Sequence, residues 1–343
     1  MLTHSMSRAL LFSALLLVSP WLINAPPTKP QTAQLEYAQP VFVLPVKCDI
    51  GVSCLIQKLV DHDPGPGRQD YLCGTLTTDG HDGIDIRLRT LADMRAGYGV
   101  IASAAGNVLR SRDGEPDISS RVRTDLDGKD AGNGVVIDHG NGWQTQYSHL
   151  RQGSVSVHPG QHVAAGDQIG LIGMSGNAEF PHLHFTIRYK GATVDPFVGA
   201  GPIGPCNATA SPSGLWTPAT ARALTYVPTA IIASGLASDV PPKSVADRLV
   251  PPTLKGSDAP LLMWVDVIGA QVGDVQAFTI TGPNGLSVHN QQTTVVGGGL
   301  SWFAYSGKRA PATGWPMGRY VGQYTLRRNG IIVAQTQTSG SIP

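Results

Sequence analysis

Charge is scarce in this 343-residue chain: Asp, Glu, Lys and Arg make up 14% of it, against roughly 25% in an average soluble protein. The two signs nearly cancel, leaving a formal net charge of +1. No global field therefore draws the chain towards nucleic acid or anionic lipid, and no nucleic-acid partner is expected. None of the four cysteines forms a Cys-x-x-Cys pair, which argues against a zinc ribbon or a thioredoxin-like site. Long apolar runs are missing as well. The N-terminal stretch from Ala9 to Val18 follows Arg8, is interrupted by Ser19 and Pro20, and resumes at Trp21. It falls short of the ~20 apolar residues that span a bilayer. It resembles an export signal, with Ala25 at a position that suits the end of one. Residues 1–25 are therefore read as a signal peptide or an N-terminal anchor. The protein is expected outside the cytoplasm, in the periplasm, the envelope or the medium, with membrane anchoring through the N-terminus left open.

What the chain does have is glycine, 41 residues, and proline, 26, a composition that favours turns and short strands over long helices. The reading is all-β. At roughly 150 residues per domain the length fits two cores. Residues 26–45 read as a linker, 46–200 as the first domain, 201–214 as a Gly-, Pro-, Ala- and Ser-rich linker, and 215–343 as a second, β-rich domain. Cysteines in an exported chain form disulfides. Of the three connectivities open to Cys48, Cys54, Cys73 and Cys206, the preferred one joins Cys48 to Cys54 and Cys73 to Cys206, because the second bridge then ties the start of the first domain to its end.

Strand-length apolar runs occur at 83–88, 100–104, 134–138, 143–149 and 182–189. Asn141-Gly142 between two of them marks a hairpin, since both residues tolerate the positive φ of its turn. Residues 113–129 are polar and without period, and read as a long surface loop of the kind that is often functional or disordered. After a short helix around Ala219–Leu224, runs at 261–267, 277–280, 301–305, 319–326 and 331–333 suggest a small β-sandwich.

Three short motifs carry chemistry: Gly80-His81-Asp82-Gly83-Ile84-Asp85, Gln146-Tyr147-Ser148-His149-Leu150 and Pro181-His182-Leu183-His184-Phe185. His81 and Asp85 are an even number of residues apart, so an extended chain projects them from one face, and the same holds for His182 and His184. Gly80, Gly83, Ile84 and Ile86 make a helix the poorer reading for the first motif. A single histidine on a strand is usually a hydrogen-bonded structural residue, but three such motifs in one domain are harder to dismiss. Imidazole nitrogen and carboxylate oxygen suit Zn2+, and a catalytic zinc uses three protein ligands. One pair supplies two ligands and the other a third. His149 and the remaining member of the His182/His184 pair are left for proton work. Spacing does not decide which of the two that is. His62, His158, His162 and His289 read as solvated loop or edge residues, and Tyr147 as packing.

Together with the run Gly99–Val108, Gly134–Leu150, Gly160–Gly173 and Ser175-Gly176, these motifs resemble the lysostaphin-type, LytM-like zinc endopeptidases of peptidoglycan over about residues 79–197. The resemblance implies a compact antiparallel β-sheet with an open groove and one zinc ion. It implies His81, Asp85 and His184 as its ligands, and His149 and His182 as the catalytic histidines. Peptidoglycan stem peptides or cross-links are the implied substrate. Two other functions share the fold or the site: a non-catalytic activator of a wall amidase, and a secreted protease acting on Gly-rich proteins. Activators of this type commonly lack some of the ligands, and none is missing here.

Overall fold

The structure, a computed structural model, describes residues 39–207, 214–241 and 254–343. The export signal and most of the first linker lie outside the described residues. Strands come first as β1 (Cys54–Lys58), β2 (Ile84–Leu88), β3 (Gly99–Ile101), β4 (Gly106–Arg112), β5 (Asn133–Gly140), β6 (Trp143–Leu150), β7 (His162–Val163), β8 (Gln168–Leu171), β9 (His182–Tyr189) and β10 (Ala192–Val194). Helix α1 (Leu91–Ala96), which the sequence reading lacks, follows β2 and carries a reciprocal cap between Thr90 and Asp93. The main antiparallel sheet runs β1-β2-β9-β6-β5-β4-β7, with β10 beside β9, while β3 and β8 pair separately.

The hairpin expected at Asn141-Gly142 joins β5 to β6, with φ of 52° and 85° at its two turn residues. Alternation sets its faces: Val135, Ile137, Trp143, Thr145 and Tyr147 are buried. Tyr147 accepts a hydrogen bond from the Ser103 amide through its hydroxyl, 2.7 Å away, so it belongs to the packing, as expected. Ile84, Ile86, Leu183 and Phe185 join the same core.

That core reaches beyond the boundaries read from sequence. Phe42, placed there in a linker, is fully buried, and its amide donates to the carbonyl of Leu215 at 2.8 Å. Leu215, Trp216 and Leu224, placed in the second domain, also pack into the first core. Local pattern could not signal this, because Phe42 is buried only by partners far along the chain, Leu215 among them. Both preferred disulfides form.

The remaining chain begins with helix α2 (Pro218–Ala223) and forms β11 (Ala230–Ala237), β12 (Leu261–Ile268), β13 (Val275–Thr281), β14 (Ser287–Thr294), β15 (Trp302–Lys308), β16 (Gly318–Arg328) and β17 (Ile331–Ile342). Sheets β11-β12-β15 and β14-β13-β16-β17 enclose a second core that includes Met263, Val265, Phe278, Tyr320 and Tyr324. This is the β-sandwich that the turn spacing suggested. No helix among the described residues is long and apolar enough to cross a membrane.

Candidate metal centre

The main sheet brings the first and third motifs side by side. In the β2–β9 ladder Asp85 lies opposite His184 and Arg87 opposite His182, and β6 places Ser148 opposite His184 from the other side. His81 precedes β2 in a turn whose backbone is tied by Asp61, which accepts from the Gly80 amide at 2.9 Å. Gly83 lets the two motifs close up. A Cβ on it would stand 2.8 Å from His184 Nε2 and 2.7 Å from the Phe185 carbonyl.

Three nitrogens converge on one oxygen of the buried Asp85 carboxylate. Oδ1 lies 3.1 Å from His81 Nε2, 2.9 Å from His184 Nδ1 and 3.7 Å from His182 Nε2. Burying a lone carboxylate is expensive. Burial here does oppose ionisation of Asp85, but the neighbouring His182, His81 and His184 hold its pKa well below the usual carboxylate range. His81, Asp85 and His184 each offer a ligand atom within 4.8 Å of the others. This donor set, two imidazoles and one carboxylate, suits a divalent transition metal, and zinc in particular.

The outer nitrogens are fixed as metal-binding or catalytic histidines require. His81 Nδ1 lies 2.8 Å from the Leu59 carbonyl, His149 Nδ1 2.8 Å from that of Ser175, and His182 Nδ1 2.9 Å from that of Phe180. Each ring donates from Nδ1 to its carbonyl, which turns Nε2 of His149 and His182 into the groove as the atom free to accept, while Nε2 of His81 faces the Asp85 carboxylate. The His149 and His182 rings lie 4.6 Å apart between centroids. Burial pushes both down: His182 to about 4, and His149 well below its ordinary value with the nearby His182 and His184 adding to the effect. His184 goes the other way. Burial disfavours its charge, but hydrogen bonds to Asp82 and Asp85 prevail and raise it to about 9.

His149 is held at φ 61°, a left-handed conformation uncommon outside glycine and typical of functional positions. Its amide donates to Ala131 and its carbonyl accepts from Gly173, so the conformation is pinned from both sides. The site opens into a groove of about 580 Å³ lined on its floor by His81, Asp85, His149, His182 and His184. All five candidate residues are thus brought together.

Sequence reasoning missed several neighbours. Lys58 Nζ lies 3.2 Å from Asp85 Oδ2, and nothing in β1 alone signals it. Asp82 bonds His184 Nε2 at 3.1 Å and accepts from Arg188 at 2.9 Å, while Thr186 Oγ1 lies 3.0 Å from the same His184 nitrogen. Strand alternation already places His184, Thr186 and Arg188 on one face. One expectation is corrected: His62 is not solvated but buried, with Nε2 2.9 Å from Asp195 and Nδ1 2.7 Å from the Gly204 carbonyl. Its flanking aspartates and prolines suggest a loop surface, and only the distant partners bury it. The loop expected at 113–129 is anchored rather than loose. Asp117 accepts from the Met174 amide at 2.7 Å, and Ser120 donates to Ala178 at 2.9 Å.

Comparison with known proteins agrees with this geometry. Residues 79–196 match the profile of peptidase family M23. A 65-residue stretch, 19% of the chain, is 45% identical to 15% of the peptidoglycan DD-endopeptidase ShyA of Vibrio cholerae. Over 107 residues, 29% of the chain, the identity to the cell division protein DipM of Caulobacter vibrioides is 36%, covering 16% of that protein. The murein hydrolase activator EnvC of Escherichia coli is 42% identical over 62 residues, 18% of this chain and 14% of its own. In each case the chain spans only about a sixth of the relative's length or less. Profile match, antiparallel sheet and converging His/Asp group agree: residues 79–196 of this chain are a domain of peptidase family M23.

Proposed function

We propose that the protein is an exported zinc endopeptidase that hydrolyses peptide bonds in peptidoglycan. The observation that carries the reading is the convergence of His81, Asp85 and His184 in an open groove, with His149 and His182 beside them, each held through Nδ1 to a main-chain carbonyl. His81, Asp85 and His184 would hold the metal. Zinc bound there supplies Lewis acidity, lowering the pKa of water and polarising an amide carbonyl.

The chain's own residues do the rest. His149 and His182 are neutral near pH 7, so either Nε2 can take a proton from the attacking water and return it to the leaving amine. Their Nδ1 hydrogen bonds to main-chain carbonyls hold the rings in orientation throughout the exchange. Lys58 and the Asp82–Arg188 pair position Asp85 and His184 from outside. The wall substrate is supported by the relatives named as peptidoglycan endopeptidases, and export by the two disulfides.

The test is direct. Purified protein should contain about one zinc per chain and release new amino groups from isolated peptidoglycan, with the products lost in His149→Ala. A protein without zinc that leaves peptidoglycan intact between pH 6 and 9 overturns the reading. One that leaves peptidoglycan intact yet stimulates a wall amidase points to an activator instead.

A further inference from the structure

The groove is not built by residues 79–196 alone. Leu300 and Ser301, from the β-sandwich domain, line it together with Gln57 and Lys58. Gln57 and Lys58 belong to β1, the edge strand beside β2, whereas His149 is the penultimate residue of β6, three strands across the sheet. At ~4.8 Å per strand the two sides of the groove stand roughly 14 Å apart. Asp130 and Ala131 line it on the β6 side, where the Ala131 carbonyl holds the His149 amide.

The segment at Leu300 is held firmly. Its carbonyl accepts from Gln57 Nε2 at 3.0 Å, and the Leu300 side chain packs on the first core. Gly299, just before it, is bonded in both directions to Gly269 and Ala270. Ser301 donates to Asp266 at 2.9 Å. Asp266 in turn faces Arg87 at 3.9 Å, both side chains being buried. Arg87 donates to Gln57 at 3.0 Å, lies 4.1 Å over the Phe180 ring and sits opposite His182 in the ladder. The sandwich domain is therefore referenced to the same strands that carry the candidate ligands.

We propose that Leu300, held in place by Gln57 and followed by Ser301, forms a specificity-determining wall of the groove that receives the apolar part of a substrate residue. The proposal rests on the endopeptidase reading and deepens it. On this side the polar groups are already engaged: Lys58 with Asp85, Gln57 with Arg87 and Leu300, Ser301 with Asp266. The apolar surface this side offers a ligand is the partly exposed face of Leu300. A charged group seated on that face would lose water to an apolar surface, whereas an apolar one gains by the contact. The β6 side differs, since Asp130 presents a carboxylate there.

The experiment compares the full chain with Leu300→Asp and Leu300→Ala, measuring amino groups released from soluble cross-linked muropeptides against substrate concentration. KM should rise at least fivefold in Leu300→Asp and at least twofold in Leu300→Ala, with kcat falling less than twofold. Val296→Asp, exposed earlier in the same loop, should change neither. Melting curves establish folding, and Leu300→Ala decides the matter if the aspartate variant does not fold. A cleaving wild type whose folded Leu300 variants keep its KM overturns this wall and leaves the endopeptidase reading standing. A wild type that does not cleave removes both.

Discussion

Asp85 and His184 face one another across the β2–β9 ladder, and Nδ1 of the histidine lies 2.9 Å from Oδ1 of the aspartate although 99 residues separate them. Under the proposed function the five site residues form two working groups, His81, Asp85 and His184 as metal ligands and His149 and His182 as proton carriers. His184→Ala should remove a metal ligand, so metal content of the purified protein falls well below one ion per chain and activity is lost with it. His149→Ala should keep the metal and lose roughly 10²- to 10⁴-fold in kcat, the range for removing an acid–base group. Metal analysis beside kinetics separates the two. Equal zinc loss in both variants would sink the division of roles.

Gly83→Ala probes the close approach that seats His184. The added methyl meets the imidazole and the Phe185 carbonyl at less than 3 Å, so one of them has to move. Metal affinity should drop on the order of 10- to 100-fold, as it does when a ligand's supporting contacts are disturbed. Competition with a chromophoric chelator reads this directly, and an unchanged affinity would show that the ladder yields without cost.

The two disulfides should contribute unequally. Cys73–Cys206 closes a separation of 133 residues and Cys48–Cys54 one of 6. Loop-closure entropy alone gives about 5 kcal/mol for the longer and about 2 kcal/mol for the shorter. Paired serine substitutions, each followed by denaturant unfolding, should show the larger loss for Cys73 and Cys206. The reverse order would refute the entropic ranking.

His62 gives the fold a pH dependence away from the metal centre. Burial of the ring disfavours its charge, yet the bonds to Asp195 and the Gly204 carbonyl outweigh this and raise its pKa above 6.5. The folded state therefore binds the proton more tightly than the unfolded chain. The stabilisation is fully present below pH 6.5 and is lost as pH rises through the elevated folded value. His62→Gln should cost more stability at pH 5.5 than at pH 9. Urea midpoints at the two pH values check the sign, and a penalty larger at pH 9 would contradict it.

Much of this was legible in the chain itself. Strand alternation placed His182 with His184, because side-chain direction in an extended segment depends only on the parity of the spacing, whereas His81 reaches Asp85 from a turn just before β2 rather than from the strand the spacing suggested. Asn141-Gly142 announced its hairpin through the φ values that only a few residues accept. The all-β class followed from glycine, proline and the lack of long periodic segments. Local rules of this kind act within a few residues and so leave a mark in the sequence.

What only the tertiary structure decided depends on partners far away along the chain. Lys58 meets Asp85 because β1 happens to be the edge strand beside β2. His62 is buried because residues 195 and 204 return to cover it. Phe42 is buried in a core that residues as distant as Leu215 and Trp216 complete. Leu300 reaches the groove only through the docking of a second domain that carries no recognisable motif of its own. Periodicity says which face of a strand a residue occupies. Which strand lies next to it is settled by the packing of the whole fold.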